Sequence, residues 1–402
     1  MVSGRSPCEE MGGGHCSYVR AHAWAAQEAG YDVHIYCVSN KAVESGREPY
    51  GTVHHVSAEG IPPRQRYVKK LARPLATSMV KQRDVWSRAV AVHSFGVWAY
   101  AGCLAVEQIQ SDKPLRHIMN MYTVYRVEVI AQLMAVNGPN IKKRLRYIYD
   151  LVGIAFTTTH CERYAYRHCD TLVVNYQCVK DLVVRHHGRH NDLRIEPYGP
   201  ESNFVSMPVV SETIPDGSTR KLVVMTIALQ RPKKGVRVLL DAFAILKKES
   251  IPFVGRIAGA GEMRDDNIRY MNELGLQDDV DFPGFIEQVD PWLHAADIYV
   301  QPSLQEESGS LALLEAMRIG LPVLCSGIDG MAEDIRHGID GITVPPGNAG
   351  MLADAIKELI LHEDKRSRFA QAAENRFAAR HGKAIFIRSM KALYEPDPTT
   401  AT

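Results

Sequence analysis

At 402 residues the chain is too long for one ordinary hydrophobic core, and two domains are expected. Hydrophobic residues make up 46% and charged residues 23%, which excludes a disordered or fibrous protein. Lys and Arg number 47 against 46 Asp and Glu, a net charge of +1, and so even a balance gives no reason to expect a nucleic-acid partner.

The eight cysteines, at 8, 16, 37, 103, 161, 169, 178 and 325, are scattered and form no CxxC pair. Several lie in apolar runs, Cys37 within 33–38 and Cys325 within 321–326, as reduced core cysteines do. No apolar run approaches the length of a membrane span, and the first residues lack the layout of a signal peptide. A cytoplasmic protein is the expectation.

A first strand should precede the Gly12-Gly13-Gly14 turn, yet only Met1-Val2-Ser3 is available for it. That strand is very short, or the sequence begins inside it. Residues 15–30 then read as a helix stopped at Gly30, residues 33–38 as a strand, and Leu172 and Val173 as part of another. Residues 202–219 break the rhythm with Pro208, Pro215 and Asp216-Gly217-Ser218, and read as the approach to a second domain. Its opening strand covers 222–226, followed by a helix at 236–248 and strands at 253–258 and 298–300. A helix at 311–319 stops at Gly320 with Pro322 just beyond; a strand at 323–326 and a helix at 349–362 follow. A final helix near 384–394 is expected to cross back toward the first domain, ahead of a frayed tail.

Short apolar runs alternating with segments of helical period predict an α/β protein with parallel sheets. The expected domains are 1–200, 201–380 and a terminal helix with its tail at 381–402.

The most informative run is Pro302-Ser303-Leu304-Gln305-Glu306-Glu307-Ser308-Gly309-Ser310-Leu311-Ala312-Leu313-Leu314-Glu315-Ala316-Met317. It leads from a strand end through small residues into an apolar helix, and open α/β folds bind ligands at the carboxyl ends of their strands. Backbone N–H groups of Ser308, Gly309 and Ser310 at a helix N-terminus offer an anion site. Glu307 at its mouth and Glu315 farther in are placed to accept hydrogen bonds from sugar hydroxyls. Taken alone, the same residues also describe an ordinary capped helix with solvated glutamates.

The neighbouring landmarks favour the functional reading. The run resembles the Glu-x7-Glu signature of glycosyltransferase family 4, the retaining GT-B enzymes among the glycosyl transferases of group 1. Around it, in the matching order, stand Gly12-Gly13-Gly14, Lys234-Gly235-Val236, Ala258-Gly259-Ala260-Gly261 and Val280-Asp281-Phe282-Pro283-Gly284-Phe285. Ala296-Asp297-Ile298-Tyr299-Val300-Gln301, Gly320-Leu321-Pro322-Val323 and Gly341-Ile342-Thr343-Val344-Pro345-Pro346-Gly347 complete the series. The resemblance spans nearly the whole chain and is strongest from about 221 to 362.

It implies two Rossmann-like domains facing across a cleft, the second binding a nucleotide-sugar, with UDP the commonest base, and the first a hydroxyl acceptor. Carried over by position, Glu315 would hold the donor ribose and Glu307 a hydroxyl of the donor sugar. Gly13, Gly14 and the backbone of Ser308, Gly309, Ser310 and Leu311 would face the diphosphate and sugar. Gly259 and Gly261 would line the same site, Lys234 would neutralise the diphosphate, and Phe285 and Ile286 would contact the base. A lysine and a helix N-terminus would then stabilise the leaving group with neither metal nor cofactor. Retention in this family is explained by front-face attack, so no side-chain nucleophile is assigned.

The pattern departs from the family in two places. An arginine clamp usually precedes the Lys-Gly pair, but Leu229 occupies its commonest position, leaving Arg231 and Lys233 as candidates. Losing such a clamp costs a few kcal/mol of transition-state stabilisation. Tyr122 stands where the family carries a sugar-side histidine, and His93, at another strand end, is a second candidate for the cleft.

Other signals have plainer readings. Asp279-Val280-Asp281 is a DxD string outside the context of a metal-nucleotide site, and reads as coincidence. His160-Cys161 and His168-Cys169 fall on one helix, and packing explains them better than zinc. Arg64, Arg66, Lys69, Lys70, Arg73, Lys81, Arg83 and Arg88, with Lys142-Lys143-Arg144-Leu145-Arg146, read as solvated helical faces. The sharper alternative is docking at the inner face of an anionic membrane, or to a phosphorylated acceptor. Two rivals to a transferase remain: a non-catalytic pseudo-glycosyltransferase, favoured by Leu229 and Tyr122, and a sugar-nucleotide epimerase of the same fold.

Overall fold

The computed structural model describes all residues except 5, 9–12, 40–43, 58–66, 110–114, 125–140, 206–219, 307 and 396–402. The chain divides into two compact units, the first comprising Met1–Phe204 with the segment from Lys383 onward, the second Val205–Gly382.

The first unit holds β1 (Val2–Ser3), β2 (His34–Ser39), β3 (Gly46–Glu48), β4 (Gly51–Ser57), β5 (Ala91–Phe95), β6 (Arg116–Met121), β7 (Thr171–Val174) and β8 (Leu193–Ile195). They form one sheet in the order β3-β4-β2-β1-β5-β6-β7-β8, parallel throughout except for the β3–β4 pair. The two residues of β1 suffice to seat it at the centre: Val2 pairs with Tyr36 on one side and Ser94 on the other. Strand order reverses beside β1, so the loops after β1 and β5 border a crevice at the carboxyl edge. The helix Gly13–Glu28 follows β1 at this point.

The helix Lys383–Tyr394 belongs to this unit. Its Ser389 hydroxyl donates to Glu196 (2.6 Å), and Lys383 pairs with Glu28 (2.8 Å). Its Tyr394 is buried against His93 of β5.

The second unit holds β9 (Leu222–Ile227), β10 (Phe253–Ala258), β11 (Val280–Gly284), β12 (Ile298–Gln301), β13 (Val323–Ser326) and β14 (Ile342–Val344). Their order is β11-β10-β9-β12-β13-β14, with every pair parallel. The central strands β9, β12 and β13 are short, largely apolar runs because helices cover both faces of a parallel sheet. The helix Val236–Lys248 shows the complementary pattern: Val236, Leu239, Leu240, Phe243 and Leu246 recur at helical spacing and are buried. They join Val224, Phe253, Ile257, Ile298, Leu324 and Ile356 in the unit's largest core cluster. Burying side chains of this size stabilises by roughly 1.5–3 kcal/mol each. Strand order reverses between β9 and β12, which makes the loops after those two strands the borders of this unit's crevice.

Candidate active site

In the second unit five strand-end loops are tied together at the carboxyl edge. The loop after β9 runs over residues 228–235 and is covered by the glycine turn after β10. Gly259 has φ 120°, and a Cβ there would lie 2.0 Å from the Ala228 carbonyl oxygen. Gly259 N–H also donates to the Gly284 carbonyl at the end of β11 (2.6 Å). From the other side, Leu304 N–H of the loop after β12 donates to the Lys233 carbonyl (2.8 Å). Gly235, at φ 68°, lies so near Pro302 that an added Cβ would stand 1.9 Å from its carbonyl oxygen. Finally, Gly330 N–H after β13 donates to the Ser308 carbonyl (3.2 Å). At Gly259 and Gly235 only a residue without a side chain permits the approach.

This packing sets the charged groups. Lys234 closes a short 3-10 turn, Pro232–Lys234, and its Nζ donates to both oxygens of Glu306, at 2.5 and 2.6 Å. Glu306 is only 7% exposed. Its Oε1 also accepts from the Ser303 hydroxyl (2.7 Å), which in turn accepts from Gln301 Nε2 (3.0 Å). Gln301 Oε1 accepts from the Tyr299 and Ser310 hydroxyls, at 2.8 and 3.1 Å. A buried polar chain thus runs from β12 to the lysine, every member satisfied by the next. The Glu306 N–H donates to Asp329 Oδ2 (3.1 Å), fixing the loop from behind.

Ser310 caps the helix Leu311–Arg318: with extended φ and ψ, its Oγ accepts the Leu313 N–H at 3.4 Å. Ser308 and Gly309 lead into this N-terminus, partly exposed, and Glu315 lies on the helix, partly buried. Glu307 lies outside the described residues. Arg231 is exposed beside Lys234, and Lys233 is half-buried. Leu229 is 48% exposed on the same loop, while its neighbour Gln230 is fully buried, donating to the Gly259 carbonyl (3.2 Å) and accepting from Asn267 (3.0 Å). Gly261 packs over the backbone of Gln230. Phe285 is 46% exposed just past β11, with Ile286 half-buried next to it.

In the first unit Gly13 and Gly14 begin the helix Gly13–Glu28, and Gly12 lies outside the described residues. Tyr122, half-buried past the end of β6, shares a hydrogen bond with His15 Nδ1 (3.1 Å). His15 Nε2 reaches the Ser3 hydroxyl at the end of β1 (3.2 Å). Tyr122 and the start of the first helix therefore meet at the crevice.

His93 does not. It is 1% exposed, its Nδ1 shares a hydrogen bond with the Tyr394 hydroxyl (2.7 Å), and its ring stacks on Phe95. Burial holds its pKa well below the usual histidine value, so it is a neutral core residue. The expectation that His93 faces the site is corrected on that ground: its side chain points into the sheet's interior.

Sequence reasoning missed Glu306 and His15. Spacing to Glu315 singled out Glu307, which lies outside the described residues, and carried no signal for the Lys234–Glu306 contact. A signal for His15 was its place as third residue of the first helix, three after Gly12.

Local contacts place several of the other signals. Asp279 accepts from Lys221 (3.1 Å) and Lys247 (2.8 Å), and Asp281 faces Arg256. Among the described residues no group of three or more His, Cys, Asp or Glu could hold a metal ion. Cys161 and Cys169 are buried, and His168 stacks on Tyr164. Lys69, Lys70 and Arg73 are exposed on the helix Val68–Lys81, opposite buried Leu71, Ala72, Leu75 and Met79. Arg64 and Arg66 lie outside the described residues, and residues 142–146 fall in the helix Ile141–His168. Among the described residues no helix is long and apolar enough to cross a membrane.

Comparison with known proteins agrees with this architecture. Residues 214–376 match the model of the glycosyl transferases group 1 family. The D-inositol 3-phosphate glycosyltransferase of Paenarthrobacter aurescens (strain TC1) is 27% identical, over 94% of this chain and 92% of its own. Among solved structures, sucrose-phosphate synthase from Thermosynechococcus elongatus superposes with a TM-score of 0.76 at 18% identity, covering 98% of this chain and 97% of that one. Anabaena Alr3699/HepE in complex with UDP-glucose gives 0.68 at 17%, with 98% and 97% covered. The fold is GT-B, residues 214–376 form a glycosyl transferases group 1 domain, and the protein is a transferase of the glycosyltransferase superfamily.

Proposed function

We propose that the protein is a retaining, metal-independent glycosyltransferase of family 4 that moves a hexose or amino-hexose from a UDP-sugar to a hydroxyl acceptor, in glycan, glycolipid or glycoside biosynthesis. The second unit takes the donor and the first the acceptor. The observation that carries this reading is the convergence of Lys234, Arg231 and the Ser310-capped helix on the loops flanking the β9/β12 crevice. A cation beside a helix N-terminus is the arrangement that stabilises a departing diphosphate. Glu315 holds the ribose, Glu307 a sugar hydroxyl, and Phe285 and Ile286 flank the base. Alr3699/HepE was solved with UDP-glucose, which supports uridine as the base. The acceptor hydroxyl attacks on the face from which the diphosphate leaves, and Tyr122 lines the acceptor side. Docking of exposed Lys69, Lys70 and Arg73 to the inner, anionic face of the cytoplasmic membrane is the alternative to a solvated helical face.

Exposed Leu229, in the place of a phosphate-clamping arginine, favours a second reading as a non-catalytic binding subunit. Activity of the purified chain with an acceptor present separates the two, and calorimetry against UDP-, GDP- and ADP-sugars, with and without EDTA, first tests donor binding. Micromolar binding of UDP-sugar that is indifferent to EDTA and abolished by Glu315→Ala is expected. No binding of any of them would reject the transferase reading.

A further inference from the structure

We propose that Glu306 is a positioning residue that holds Lys234 in the absence of phosphate, so that an incoming diphosphate must draw the ammonium away from a built-in carboxylate. This rests on the assignment of Lys234 to the donor phosphates.

Three features carry it. The contact is bidentate, Nζ to both carboxylate oxygens at 2.5 and 2.6 Å, as a phosphate would be gripped. The carboxylate is held by more than the lysine: the Ser303 hydroxyl donates to it and the Glu306 N–H is tied to Asp329, so it stays in place when the lysine moves. The lysine is the mobile partner. Its four-carbon stem rises from a three-residue turn, whereas Glu306 is nearly buried. Arg231, exposed on the same loop, pairs with no carboxylate among the described residues and is the group first available to an anion.

The contact has two consequences. With the pair closed, the site carries no net charge from these two residues, and a phosphate binds more weakly than to a free ammonium. After transfer, Glu306 reclaims the lysine as the diphosphate departs, which favours product release.

The test is calorimetric binding of inorganic pyrophosphate and of UDP to the full chain, comparing wild type with Glu306→Gln, Lys234→Ala and the double variant. The lock predicts that Glu306→Gln tightens pyrophosphate binding by about tenfold or more, the scale of one charge-assisted hydrogen bond. It predicts that the gain vanishes when Lys234 is already alanine. Glu306→Asp, which restores the charge, returns binding toward the wild-type value. Should Glu306→Gln fail to fold, Ser303→Ala loosens the carboxylate instead and gives a smaller tightening. Unchanged or weaker binding in Glu306→Gln or, in that event, Ser303→Ala, with Lys234→Ala still defective, overturns the lock alone. A gain that persists without Lys234 also overturns it, since direct repulsion by the carboxylate would then explain the effect. If Lys234→Ala binds pyrophosphate as wild type does, the phosphate-site assignment itself fails.

Discussion

Replacing Gly235 by alanine tests whether the close approach of the β9 and β12 loops builds the site. At φ 68° an alanine pays roughly 1–2 kcal/mol for the left-handed backbone. The added Cβ would lie 1.9 Å from the Pro302 carbonyl oxygen, against the 3.0 Å below which such contacts essentially never occur. The loops must therefore separate by about 1.1 Å, the difference of those two distances. Backbone shifts of that kind cost about 1–3 kcal/mol more, giving a total near 2–5 kcal/mol. The moving segment carries Ser303 and Glu306, so Lys234 is displaced with it. A misplacement of about 1 Å at a reacting centre lowers the rate by roughly a hundredfold. The control is Gly338→Ala, at φ 75° with open space around it, which pays the backbone penalty alone. Calorimetric melting and kcat/KM for donor consumption, measured on both variants, decide the matter. Equal melting losses and equal activities in the two would refute the claim that the glycine contact shapes the site.

Further outcomes follow from single features. Burial pushes His22 down to about 4 and His117 down to about 3, whereas in the unfolded chain both protonate near 6.5. The unfolded state then binds more protons below pH 6.5, so stability complete above that pH is lost as pH falls toward 4, at up to about 1.4 kcal/mol per pH unit for each imidazole. Denaturant titrations at pH 7.5, 6 and 5 should show the decline, and a flat profile would contradict it. Ser310→Ala removes the cap of the helix Leu311–Arg318 and should cost about 1 kcal/mol, visible as a lower urea midpoint with unchanged slope. Burial pushes the Cys161 and Cys169 thiols up to about 11, while Cys8 is exposed. A thiol reagent at pH 7.5 should label Cys8 first, and mass spectrometry finding Cys161 or Cys169 modified as fast would show that the first unit opens readily.

Much of the architecture could be read from local pattern. The strands Phe253–Ala258 and Val323–Ser326 and the helix Val236–Lys248 have the bounds that periodicity and Gly-Pro punctuation indicate. Such elements are legible because burial on both faces demands an unbroken apolar run, and burial on one face demands a repeat of 3.6. The short strands β3, β8 and β14 had no such signature. Of the helix Ile141–His168 the sequence indicated a basic helical segment at 142–146 and a helix about His160 and His168, but not that the two are one element.

Chemical kind was legible as well, because glycine turns and small residues at strand ends are needed wherever backbone must approach backbone or an anion. Pairing was not. Lys234 and Glu306 stand 72 positions apart, and their contact exists only because β9 and β12 are neighbours in the sheet. His93 and Tyr394, 301 apart, meet only because the last helix packs on the first unit, and that contact turns a strand-end histidine from a site candidate into core. The sequence alone determined the parallel α/β units and the loops that carry the chemistry, since periodicity and backbone sterics act over a few residues. Which side chains meet depended on sheet order and loop packing, which only the tertiary structure decided.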